Sequence, residues 1–165
     1  LLIVCAHFGN EYQRLPSEYQ RRWVRTFLEL GADVVFGAHP HVLQPVEMFS
    51  VRQADGSEKL VPVFYSLGNF TAVQPGELTS TGAIGVVHFE LVEGRLKFQR
   101  IETIPTYHGF GSWGGARQFR VLPIRPQDLT DLSSGERNRL TAIGQRAKRH
   151  LDQWLTRKPT PIEQK

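Results

Sequence analysis

The sequence predicts an α/β fold: a βαβ unit, then antiparallel hairpins, then a C-terminal helix. Three observations carry that expectation. Two apolar runs, Leu1-Leu2-Ile3-Val4-Cys5-Ala6 and Asp33-Val34-Val35-Phe36, flank a segment with helical spacing. β-rich runs separated by polar or glycine turns fill the middle of the chain, and a long amphipathic pattern spans residues 134–155. With 165 residues, the chain can bury about 70% of its unfolded surface around a single core.

The first run reads as a fully buried strand. It lacks the basic n-region of a signal peptide and the length of a membrane span. A strand so apolar at the first residue raises the expectation that this is the later part of a longer protein. Cys5, the lone cysteine, reads as a small buried hydrophobe and makes no internal disulfide. A polar loop, His7 to Leu15, leads to a helix opened by Pro16-Ser17-Glu18. Tyr19, Trp23, Phe27 and Leu30 recur at spacings of four, four and three, which predicts the buried face, and Gly31 is a natural stop. Strand, helix and strand with short connections favour a parallel pair and a right-handed crossover. Ligands of such sheets gather beyond the carboxyl ends of the strands, where both His7 and His39 stand.

Val46 to Val51 and Leu60 to Ser66 are joined by the polar stretch Gln53 to Glu58, a hairpin signal. Gly85 to Val92 and Arg95 to Ile104 form a second hairpin about Glu93-Gly94. Both are expected to form antiparallel sheet packed on the βαβ portion. Tyr107 to Gln118, rich in glycine and aromatics, reads equally as a functional loop or an irregular crossing. In the last helix, Leu140, Ile143, Ala147, Leu151 and Trp154 line one side, and Arg137, Arg139, Arg146, Lys148 and Arg149 lie mostly off it. The chain thus divides into a main unit, residues 1–125, a helical segment, 126–156, and a flexible tail, 157–165, with two prolines and little to bury.

The net charge of +4 suits an acidic polymer, a phosphorylated substrate or an anionic surface, and selects none of them. The basic residues are scattered, so nucleic acid is not an expected partner. There is no Walker-type phosphate loop, dinucleotide fingerprint or nucleophile elbow. The chemistry-bearing residues instead cluster after the first two strands. His7-Phe8-Gly9-Asn10-Glu11 offers an imidazole, an amide and a carboxylate, and Gly37-Ala38-His39-Pro40-His41 offers two more imidazoles. Neutral imidazoles and carboxylates are ligands for zinc, iron, manganese and related ions. Pro40 is expected to hold His-Pro-His extended, with both imidazoles on one face, converging on one metal or divided between two. Glu11, or carboxylates upstream, would balance the charge. Ser66-Leu67-Gly68-Asn69-Phe70 reads as a turn whose amide also suits a ligand. His88 and His150 read as structural or solvated, and His108 as a weaker candidate.

The order "HFGNEY", a helix, "GADVVFGAHPHVLQPVE", then "VFYSLGNF" resembles the CapA family of poly-gamma-glutamate capsule biosynthesis proteins, relatives of the calcineurin-like metallophosphoesterases. The resemblance covers roughly residues 1 to 105. It implies the C-terminal part of a four-layer metallophosphoesterase-like sandwich, its N-terminal part missing, with a metal-centred cleft at the strand ends. His7 matches the histidine after one strand, and Gly37 to His41 resembles a glycine-histidine-x-histidine motif with one residue inserted. The resemblance implies His7, His39 and His41 as metal ligands, His7 and Glu11 in catalysis, and Asn10 and Asn69 as substrate-binding pocket residues. It further implies two divalent ions (Mn, Fe or Zn) in the full-length protein and a metal-dependent hydrolase of phosphoesters or polyglutamate amides. The fragment alone, lacking the earlier carboxylate motifs, is expected to be inactive. The partners implied are an acidic polymer and capsule synthesis membrane proteins, at a membrane-associated or extracytoplasmic location. The alternative is a non-catalytic capsule assembly or polymer-binding factor.

Overall fold

The computed structural model describes residues 1–113 and 116–163. Its elements in chain order are β1 (Ile3–His7), α1 (Glu18–Glu29), β2 (Val34–Ala38), β3 (Val46–Arg52), β4 (Glu58–Phe64), β5 (Thr81–Val92), β6 (Arg95–Trp113), β7 (Ala116–Pro123), a 3-10 turn at Pro126–Asp128, α2 (Ser134–Asp152) and β8 (Thr160–Glu163). They form a mixed α/β structure with two sheets and few helices. The larger sheet has the order β1-β2-β4-β3-β8, and the smaller β5-β6-β7.

The βαβ unit is present as expected: β1 and β2 are parallel, with Ile3 opposite Val34 and His7 opposite Ala38. Both hairpins form, β3 with β4 and β5 with β6. The first joins the βαβ unit edge to edge, β4 pairing in parallel with β2, and does not pack across its face. Among the described residues, β5-β6-β7 forms the separate second sheet. Side chains alternate across each strand, so Val35, Val61 and Val63 enter the cluster that holds Val24 and Leu28 of α1. Val34 and Phe64 point the other way, into the cluster shared with Ala83, Val87 and Phe89 of β5 and Ala147 and Leu151 of α2. A third cluster, Leu129, Leu140 and Ile143 with Tyr107 and Leu122, joins α2 to β6 and β7.

Four expectations are corrected. β1 is an edge strand and not a buried one: Leu1, Leu2 and Ile3 are exposed, and so is Cys5. Among the described residues only β2 pairs with it. On α1 the buried positions are Gln20, Val24 and Leu28. Tyr19, Trp23 and Leu30 are exposed, while Phe27 is half-buried and packs against the core; the rings of Tyr19, Trp23 and Phe27 meet one another along the helix. Tyr107 to Gln118 continues β6 and begins β7, with residues 114–115 outside the described residues. Finally, part of the expected tail is ordered: Thr160–Glu163 pairs in parallel with β3, and Ile162 enters the core beside Phe49 and Trp154.

Candidate functional site

The carboxyl ends of β1 and β2 place His7 and Ala38 opposite each other, so the loops that follow leave the sheet side by side. Two backbone bonds tie them together, Phe8 N–H to Ala38 O at 3.0 Å and Tyr12 N–H to Pro40 O at 2.8 Å. The result brings the predicted histidines together. The His7 and His39 rings lie 4.8 Å apart between centroids, those of His39 and His41 6.1 Å. Tyr12 stacks on His41 at 6.0 Å, and Glu11 Oε1 lies 3.9 Å from His41 Nε2. His7 and Glu11 are exposed, and His39 and His41 half-buried, so the cluster opens to solvent.

The backbone of His-Pro-His is not the extended one that Pro40 suggested. His39 has φ +103° and His41 φ +59°, and Tyr12, stacked on His41, has φ +62°. Left-handed backbone at non-glycine residues costs about 1–3 kcal/mol each, and persists only where packing imposes it. Here the packing is tight. A Cβ at Gly37 would stand 2.1 Å from Tyr65 O, so only glycine lets β2 run this close to β4 immediately before the histidines.

Two buried glutamines, which sequence reasoning passed over, fasten the Glu11 loop. Gln44 donates to Gln13 O at 2.8 Å and Leu15 O at 3.2 Å, and accepts from Gln20 Nε2 at 2.8 Å. Gln20 Oε1 accepts from Ser17 N–H at 3.0 Å, which closes a capping box at the start of α1. Gly9, at φ +107°, lies against the Gln20 amide. The Ser17-x-x-Gln20 spacing was the available signal for one of them; nothing local marks Gln44.

Asn69 also reaches the cluster, from the segment after β4. It is 5% exposed. Its Oδ1 is 2.8 Å from His41 Nδ1, and its Nδ2 donates to Gln74 Oε1 at 3.2 Å and Thr79 O at 3.0 Å. Asn10 is exposed at the loop surface, its amide bonded to Gln13 Oε1. His108 lies apart on β6, buried against Phe119 with neither ring nitrogen hydrogen-bonded. His150 bonds loop carbonyls from α2, and His88 lies within β5. Among the described residues, no three histidine, cysteine, aspartate or glutamate side chains form a group that could hold a metal ion. Among them, too, no helix is long and apolar enough to cross a membrane.

Residues 1–74 match the profile of a family described as "Bacterial capsule synthesis protein PGA_cap". The PGA biosynthesis protein CapA of Bacillus subtilis (strain 168) is 34% identical over 90 residues, 54% of this chain and 21% of that protein. The capsule biosynthesis protein CapA of Bacillus anthracis is 35% identical over 88 residues, 53% of this chain and 19% of that protein. An uncharacterized protein, y4sH, of Sinorhizobium fredii (strain NBRC 101917 / NGR234) is 32% identical over 65 residues, 39% of this chain and 12% of that protein. The aligned part of the chain thus spans about a fifth of the two CapA proteins. His7, Glu11, His39, His41 and Asn69 all fall within residues 1–74, the segment that is similar to the CapA proteins of bacterial capsule synthesis.

Proposed function

We propose that this chain supplies one wall of the cleft of a metal-dependent hydrolase in poly-gamma-glutamate capsule synthesis, on a metallophosphoesterase-like sandwich. The observation that supports this reading is the gathering of His7, His39 and His41 at the ends of two adjacent parallel strands, with Glu11 beside them. Imidazole and carboxylate are donors that manganese, iron and zinc accept, so the residues fit such ions in kind. The set is open, since no three of these donors close on one point among the described residues. On this reading His7, His39 and His41 contribute ligands, and carboxylates elsewhere in a longer protein complete a site for two ions.

Bound divalent ions would supply charge stabilisation at the scissile group and a lowered pKa for attacking water. The chain's own part would be to orient and to move protons: Glu11, and His7 where an ion leaves it free, would exchange protons with water and leaving group. On this reading Asn10, exposed on the same loop, would meet substrate. A phosphoester and a poly-gamma-glutamate amide are both anionic at neutral pH, and the net charge of +4 favours either.

The test is metal analysis and hydrolysis assays on the full-length protein, with His39→Ala and His41→Ala. The expected result is two divalent ions per wild-type molecule, loss of metal in the variants, and a drop in turnover of about 100-fold or more. A metal-free full-length protein overturns the reading. The open donor set also favours a second reading, a non-catalytic factor that holds an acidic polymer. In that case both variants keep polymer binding and capsule function unchanged.

A further inference from the structure

We propose that Asn69 is a positioning residue that locks His41 into its Nδ1–H tautomer, leaving Nε2 as the free electron pair that His41 turns toward Glu11. Its functional meaning rests on the cation-binding reading above; the tautomer itself does not. A backbone carbonyl fixes the assignment. Thr79 O can only accept a hydrogen bond, and it lies 3.0 Å from one end of the Asn69 amide, so that end is the NH2 group. Its other hydrogen goes to Gln74 Oε1 at 3.2 Å. The opposite end, 2.8 Å from His41 Nδ1, is therefore the amide oxygen, which also only accepts. The proton between them belongs to Nδ1, and a neutral imidazole with a proton on Nδ1 has a bare Nε2.

Two further observations agree. His41 Nε2 and Glu11 Oε1 stand 3.9 Å apart, beyond hydrogen-bond distance, as two groups presenting lone pairs should. Asn69 cannot swing away, because its own backbone is pressed onto β5: a Cβ at Gly82 would meet Asn69 O at 2.1 Å, and Gly68, at φ +66°, bridges to Gly82. At 5% exposure, water competes poorly for the amide. The nitrogen through which His41 would bind a cation or take a proton is thus set by a residue 28 positions away before any ligand arrives.

The experiment is ring-nitrogen NMR of the ¹⁵N-labelled, metal-free protein at about pH 8.5, where histidine is neutral. Wild type should show His41 protonated on Nδ1 and bare on Nε2. Asn69→Leu should move the proton to Nε2, the form an unrestrained imidazole favours, while Asn69→Asp, which keeps an acceptor, should leave it on Nδ1. Zinc titration of the full-length protein, in which the proposed site is complete, should show affinity weakened about 10-fold or more in Asn69→Leu and largely retained in Asn69→Asp. An Nε2–H His41 in wild type overturns the proposal, as does an Nδ1–H His41 in folded Asn69→Leu. Should Asn69→Leu fail to fold, the wild-type and Asn69→Asp spectra still decide it. A wild type with the Nδ1–H form but no zinc affinity would sink the cation reading and leave the tautomer lock standing.

Discussion

His150 shows how a single polar side chain can join three segments without being a catalytic group. From α2, its Nε2 faces Arg14 O at 3.0 Å and Leu43 O at 3.1 Å, and Gln153 donates to its Nδ1 at 3.1 Å. The neutral ring is fully used, and protonation of Nδ1 would set two donors against each other. Burial, and then the nearby Arg14 charge, hold its pKa below the ordinary 6.5, outweighing the two carbonyls that act the other way. The unfolded chain therefore binds this proton at a higher pH than the folded one. The contribution is fully present above about pH 6.5, and is lost as pH falls from there through the depressed folded value. Urea unfolding at a series of pH values should show stability declining below about pH 6.5, with a shallower decline in His150→Gln, whose amide donates to the same carbonyls but takes no proton. An unchanged slope in that variant would assign the decline to other groups.

The two helices differ in how far their sequences betray their packing. In α2 the apolar stripe is the buried face: Leu140, Ile143, Ala147 and Leu151 are all inside, as their spacing implies. In α1 the largest apolar side chains lie on the wrong side. The polar Gln20 takes a core position because its amide reaches Gln44 and Tyr65 O, and Val24 and Leu28 follow one and two turns on. Leu28→Ala should cost about 2–5 kcal/mol in urea unfolding, and Trp23→Gln less than about 1 kcal/mol. Equal costs would restore the aromatic face as the packing face. Strands and hairpins were legible because short β-rich runs and turn residues are local signals. The length of β6 was not: glycines at 109 and 111 looked like loop, whereas in the sheet they alternate with His108 and Phe110, so successive side chains fall on opposite faces. At the site, the histidines were legible by their place after strands. Gln44 and the Asn69 contact were not, because each depends on tertiary contacts made from 24 to 31 positions away.

At the scale of the molecule, the last strand closes what the first leaves open. β8 covers the edge of β3, Ile162 fills the core beside Phe49, and Thr160 Oγ1 donates to Glu47 at 2.8 Å. That carboxylate also accepts from Tyr65, whose phenol is held far above its ordinary pKa by burial and by Glu47 itself, and it pairs with Arg21 of α1. A chain ending at Lys158 should lose about 2 kcal/mol or more and gain a tendency to self-associate through β3, checked by urea unfolding and by gel filtration. Full stability and a monomeric profile in that truncation would make β8 dispensable. β1, at the other end of the sheet, has no such cover among the described residues. The left-handed backbone at His39 and His41 has a consequence for how such a molecule can change over generations. Glycine at either position would relieve torsional strain while deleting an imidazole, so screening variants for heat resistance alone should favour loss of the cluster. Only selection that demands the chemistry would keep two histidines where glycine is the more comfortable residue.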